Sequence, residues 1–143
     1  MAYAKKNKII NYAIENKKPQ FEKKALRYLK KNKINLLCLA GFMRILSKEF
    51  IKKSKFKIIN IHPSLLPKYK GLKTHERAMK AGDKYAGSTV HYVTAKLDSG
   101  KIILRTKVKI FKSDKPNTLA KRVLKAEHRI YPKAVDIVCK KIN

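Results

Sequence analysis

Two short polar clusters in the sequence carry side chains suited to acyl-transfer chemistry. The first is Asn60-Ile61-His62-Pro63-Ser64-Leu65-Leu66-Pro67. Asn60 and His62 stand two apart in what reads as the end of a strand, so both side chains project to one side. An amide donor beside an imidazole suits an oxygen on which negative charge develops. Histidine also exchanges a proton near neutral pH. The same pair could instead simply satisfy a turn ahead of Pro63. The second cluster is Leu97-Asp98-Ser99-Gly100. Asp98 precedes a glycine-containing turn, and aspartate is common in such turns. Placed against His62, its charge would favour the imidazolium and complete an Asn–His–Asp set. Spacing alone leaves both readings of Asp98 open.

The elements that would position these residues alternate along the chain. Ile9 to Ile14 reads as a short strand. Residues 19–32 read as a helix opening at Pro19, with Phe21, Ala25, Leu26 and Leu29 on one face. The apolar run Ile34-Asn35-Leu36-Leu37-Cys38-Leu39-Ala40 is typical of a buried parallel strand. Ser47 caps a short helix to about Lys53, and residues 56–61 form the next strand. A loop from His62 to Gly71 leads to a helix capped by Thr74 and ending near Gly82. Residues 87–94 and 101–111 alternate as strands. A long amphipathic helix runs from Pro116 to about Lys140, with Pro132 as a kink point. This order predicts an α/β fold with a mostly parallel sheet. Ligands of such sheets sit beyond the carboxyl ends of the strands, where Asn60, His62 and the loop containing Asp98 fall.

The 143 residues fit one domain. A hydrophobic share of 44% is that of a globular chain. No run approaches the ~20 apolar residues that span a bilayer. The opening Met1-Ala2-Tyr3-Ala4-Lys5-Lys6 has no apolar stretch or cleavage site behind it, so the expected location is cytoplasmic. Cys38 and Cys139 match no zinc or redox spacing and read as small reduced hydrophobes, and no metal is expected. The net charge of +28 invites a nucleic-acid reading. Lysine heavily outnumbers arginine, however, and is spread along the whole chain, whereas base and phosphate forks favour arginine. With Ile, Lys and Asn all abundant, the charge reads as mostly a compositional background, which would also help attract anionic small molecules.

Beyond single motifs, Ala40-Gly41-Phe42-Met43-Arg44-Ile45-Leu46, Asn60 to Pro67, Tyr69 to Leu72, Gly87-Ser88-Thr89-Val90-His91 and Leu97 to Gly100 resemble, in that order, the phosphoribosylglycinamide formyltransferase family. Glu127-His128-Arg129-Ile130-Tyr131-Pro132 extends the likeness. The resemblance implies a Rossmann-like formyltransferase fold. It implies transfer of the formyl group of 10-formyltetrahydrofolate to the amine of 5′-phosphoribosylglycinamide, in de novo purine (IMP) synthesis. Asn60 and protonated His62 would stabilise the oxyanion, and Asp98 would hold His62 and help remove the amine proton. Thr89 and His91 would support that set. Met43, Arg44, Ile45 and Leu46, with Thr94, Ala95, Lys96, Leu97 and Asp98, would form the pterin site, with Leu39, Phe42 and Ile51 as its apolar wall. Met43, Ile61 and Pro63 would meet the nucleotide, and Glu127 its ribose hydroxyls. Leu39, Phe42 and Ile51 could equally be ordinary core, and Glu127 a solvated helix acid. His75 and His128 are left as structural or surface residues.

The family opens with a strand, a Gly/Ser/Asn loop at a helix start and a second strand, and that loop cradles the substrate phosphate. No counterpart precedes Ile9. The expectation is therefore a single formyltransferase domain over residues 1–143 that lacks this first strand–helix–strand unit, on the order of 45 residues. Weak or absent catalysis by the chain alone follows, with an open sheet edge at Ile34–Ala40. Other readings are a deformylase or methionyl-tRNA formyltransferase relative, an inactive remnant, or a basic nucleic-acid-binding protein.

Overall fold

The alternation of apolar runs with amphipathic stretches folds as an α/β chain. The computed structural model describes residues 2–14 and 20–142. They divide into two units, Met1–Ile34 and Asn35–Asn143. The first holds α1 (Ala2–Lys6) and α2 (Gln20–Lys31). The expected helix over 19–32 is α2, and Pro19 lies outside the described residues. The expected strand at Ile9–Ile14 is not one. Residues 9–14 have no regular structure, and Ile9, Ile10 and Tyr12 are exposed. A strand needs a neighbour to satisfy its backbone groups, and no strand among the described residues pairs with this segment. Instead the Ile9 N–H closes α1 on the Ala4 carbonyl, and the Tyr12 ring stacks on Tyr28 at 4.5 Å.

The second unit contains β1 (Leu36–Leu39), α3 (Lys48–Lys53), β2 (Lys57–His62), α4 (Thr74–Lys80), β3 (Tyr85–Tyr92), β4 (Ile102–Lys109) and α5 (Pro116–Cys139). The four strands form one sheet in the order β1-β2-β3-β4. Parallel pairing is confined to β1 and β2, and β2–β3 and β3–β4 are antiparallel. The sheet is therefore mixed where a mostly parallel one was expected. Residues 93–101 are too few for a crossover and return the chain as a hairpin. β1 lies at an edge of this sheet, so its run is half-buried at most, and Cys38 is exposed. Cys139 is exposed as well, so neither cysteine packs as a buried hydrophobe.

Ile59, Val90, Ala134 and Val138 form a buried cluster joining β2, β3 and α5, and Ala86, Leu119 and Val123 form a second. Burying the five larger of these side chains, Ile59, Val90, Val138, Leu119 and Val123, is worth roughly 1.5–3 kcal/mol each, which fixes α5 across the sheet. The Ser47 hydroxyl caps α3 by accepting from the Phe50 N–H at 3.0 Å, as its sequence position implied. Thr74 does not cap α4. It is the first helical residue, and the cap position belongs to Lys73 in a left-handed conformation.

Candidate active site

Alternation along β2 places Asn60 and His62 on one face and Ile59 and Ile61 on the other. In the antiparallel register with β3, His91 stands opposite Asn60 and Thr89 opposite His62. Directly opposed residues share a face, so four polar side chains gather there. The hairpin after β3 brings up a fifth, Asp98. Its backbone is left-handed at φ 44°, a conformation that aspartate tolerates better than most residues. Gly100 makes the hairpin close enough. A Cβ there would sit 1.7 Å from the Tyr92 carbonyl oxygen.

The His62 and Asp98 side chains are both buried. The His62 Nδ1 lies 3.4 Å from Asp98 Oδ2. His62 Nε2 donates to the Tyr69 carbonyl at 2.9 Å. Both ring nitrogens thus face oxygen acceptors. Asp98 Oδ2 also accepts the Gly71 N–H at 3.0 Å, and Oδ1 lies 3.7 Å from His91 Nε2. His91 Nδ1 donates to the Tyr92 carbonyl at 2.8 Å. Burial pushes His91 below the ordinary histidine range, against the opposing pull of the Tyr92 carbonyl and Asp98. Thr89 is fully buried and donates to the Ser64 carbonyl at 2.7 Å while accepting the Leu66 N–H. It fixes the turn that leaves His62. Among the described residues no group hydrogen-bonds the Asn60 amide, which faces the pocket.

Asn60, His62, His91 and Asp98 form the floor of a pocket of about 770 Å3, with Thr89 buried beneath it. Binding sites for small organic molecules commonly span ~300–1,000 Å3. The segment Met43, Arg44, Ile45 and Leu46, with Leu39 and Phe42, lines one wall, and Thr94, Lys96, Leu97 and Asp98 line another. Ile61, Pro63 and Glu127 line it too. Burial pushes the Glu127 carboxyl up, partly offset by His128. Two expected pocket residues are not in the lining. Ile51 sits half-buried in α3, and Ala95 is exposed at the hairpin.

Several lining residues went unread in the sequence. Asn117, Ala120, Lys121 and Leu124 join Glu127, and their three- and four-residue spacing is one helix face. Lys73, Thr74 and His75 enter from the start of α4. His75, expected to be structural or surface, has a buried Nδ1 with no hydrogen-bond partner among the described residues. Burial, then the nearby His62, lowers its pKa. No helix of the described residues is long and apolar enough to cross a membrane, and the described residues contain no group of three or more His, Cys, Asp or Glu placed to hold a metal ion.

Residues 2–135 match the model of the family described as "Formyl transferase". The chain is 42% identical over 131 residues to the trifunctional purine biosynthetic protein adenosine-3 of Homo sapiens, covering 92% of this chain and 13% of that protein. It is 49% identical over 98 residues to phosphoribosylglycinamide formyltransferase of Escherichia coli, covering 68% of this chain and 46% of that one. Among solved structures, phosphoribosylglycinamide formyltransferase from Anaplasma phagocytophilum superposes with a TM-score of 0.91 at 42% identity, over 98% of this chain and 68% of that chain. The chain spans about half the length of the curated bacterial relative and a small part of the trifunctional one.

Proposed function

The chain belongs to the formyl transferase family, in its phosphoribosylglycinamide formyltransferase branch, and from that premise we propose that its pocket transfers a formyl group from 10-formyltetrahydrofolate to the amine of 5′-phosphoribosylglycinamide. A folate-type formyl donor is what this family uses. The observation that carries the reading is the meeting of Asn60, His62 and Asp98 at the floor of a pocket with an apolar wall. The residues present fit such a donor. Leu39, Phe42, Ile45, Leu46 and Leu97 offer apolar contact to a flat heterocycle, and the volume admits one. The bound donor supplies the electrophilic formyl carbon.

In this reading the protein's own groups hold charge and move one proton. The Asn60 amide and a His62 N–H donate to the formyl oxygen as it gains negative charge. His62 Nε2–H stays on the Tyr69 carbonyl. The 3.4 Å separation at Nδ1 exceeds a tight hydrogen bond, so that proton is available to the oxygen. Asp98 holds the ring, takes the proton lost by the attacking amine, directly or through water, and passes it to the donor nitrogen as that nitrogen's bond to the formyl carbon breaks. His91 and Thr89 hold the set from behind. Glu127 takes the ribose hydroxyls, with Met43, Ile61 and Pro63 on the nucleotide side. The partners are small molecules, and the working compartment is the cytoplasm. Asn60→Ala, His62→Ala and Asp98→Asn are each expected to lower transfer by about 10²–10³-fold, with donor binding retained. A variant set that transfers at the wild-type rate would sink the assignment.

A further inference from the structure

We infer that Tyr69, Asp83 and Arg77 form an external anchor that holds His62 and Asp98 in register, making them positioning residues for the reaction. The inference rests on the reading of His62 and Asp98 given above.

Residues 69–71 touch both members of the pair. The Tyr69 carbonyl accepts the His62 Nε2–H at 2.9 Å, and the Gly71 N–H donates to Asp98 Oδ2 at 3.0 Å. One short strap therefore fixes the ring at one end and the carboxylate at the other. If the Tyr69 carbonyl turned away, the ring would be free to rotate and Nδ1 would lose its aim at Asp98.

The carbonyl does not hold itself in place. Tyr69 is left-handed, with φ 55°, a conformation that a bulky residue keeps only when its surroundings impose it. Its side chain supplies that hold. The Tyr69 hydroxyl donates to Asp83 Oδ2 at 2.8 Å, in the turn after α4. The Lys68 ammonium grips the same carboxylate at 2.8 Å. Lys68 foremost, then the Tyr69 hydroxyl, keep the Asp83 carboxyl below its ordinary range. The Arg77 guanidinium lies over the Tyr69 ring at 5.3 Å, a cation–π distance. Its Nη1 donates to the Lys70 carbonyl at 2.7 Å and the Leu72 carbonyl at 3.3 Å. Arg77 thus braces the peptides on both sides of Gly71. None of Tyr69, Asp83 and Arg77 lines the pocket, so any effect they have on the reaction is indirect.

The test is NMR on the full chain, reading exchange of the His62 Nε2 proton with water in wild type, Tyr69→Phe and Arg77→Gln. Tyr69→Phe removes only the hydroxyl that binds Asp83. Amide protection at Ile59 and Val90, both fully buried, reports that the core is intact. With that protection unchanged, exchange is expected to accelerate roughly 5- to 10-fold in each variant, the worth of one ordinary hydrogen bond. Should Arg77→Gln lose core protection, Tyr69→Phe alone decides. Exchange equal to wild type in a folded Tyr69→Phe overturns the anchor. Single-turnover transfer by the same variants separates the two claims. The rate constant should fall while donor affinity holds. A strap loosened by NMR with transfer unchanged would leave the anchor standing and count against the catalytic reading of His62.

Discussion

At the residue scale, the sequence offered Asn60 and His62 as a pair because period-two geometry puts them on one face. It could not bring in Asp98, which arrives from a hairpin 36 positions further on through contacts that only folding creates. The resemblance supplied that link, and the buried His62–Asp98 pair agrees with it. Tyr69 stayed hidden for a plain reason. Its contribution is a main-chain carbonyl, which carries no side-chain signature. The histidines also make a pH prediction. The folded pKa values of His91 and His75 lie below the unfolded value, burial being the main cause. The stability they support is full above about pH 6.5 and falls as the pH drops below it, because the unfolded chain then binds protons that the native one refuses. Glu127, pushed up by burial, contributes the opposite slope nearer the carboxylate range. Melting temperature should therefore fall from pH 7.5 to 5.5, and less steeply in His75→Gln. A flat profile would contradict the burial of neutral imidazoles.

At the element scale, most of the helices and strands were legible because periodicity and caps are local. Ser47 announced α3 and does cap it. Ser47→Ala should cost about 1 kcal/mol in a denaturant melt. The failures were failures of partnership. Ile9–Ile14 had strand composition without a strand beside it, and the sheet direction depended on a connection too short to cross over. The face of α5 that reaches the pocket was present in the spacing of residues 117, 120, 121, 124 and 127, but an amphipathic helix does not say which face meets a ligand. The hairpin carrying Asp98 depends on Gly100, whose hydrogen side faces the Tyr92 carbonyl. Gly100→Ala must push the strands apart, at roughly 1–3 kcal/mol. A displacement near 1 Å at Asp98 should slow transfer by about 10²-fold. Both are read from one purified variant, by melting and by single-turnover assay. A variant with wild-type rate and stability would show that the hairpin does not set Asp98.

At the scale of the whole molecule, the chain carries a net charge of +28, and the proposed substrates are anionic. Long-range attraction raises encounter rates and is screened by salt. The KM of the phosphate substrate should rise several-fold between about 50 and 500 mM salt while the rate at saturation holds. The α/β class and the formyl transferase fold were readable from the order of elements and the family motifs, and the superposition at a TM-score of 0.91 agrees. The division at Ile34 was not, since no glycine, serine or proline tract marks it. One comparison tests the role of Asp98 most directly. It is single-turnover formyl transfer from 10-formyltetrahydrofolate to phosphoribosylglycinamide, with protein in excess, for the wild-type chain and Asp98→Asn. Transfer above the uncatalysed background is expected in wild type, and a fall of about 100-fold, or to background, in Asp98→Asn with donor binding unchanged. Equal rates in the two proteins would contradict that role.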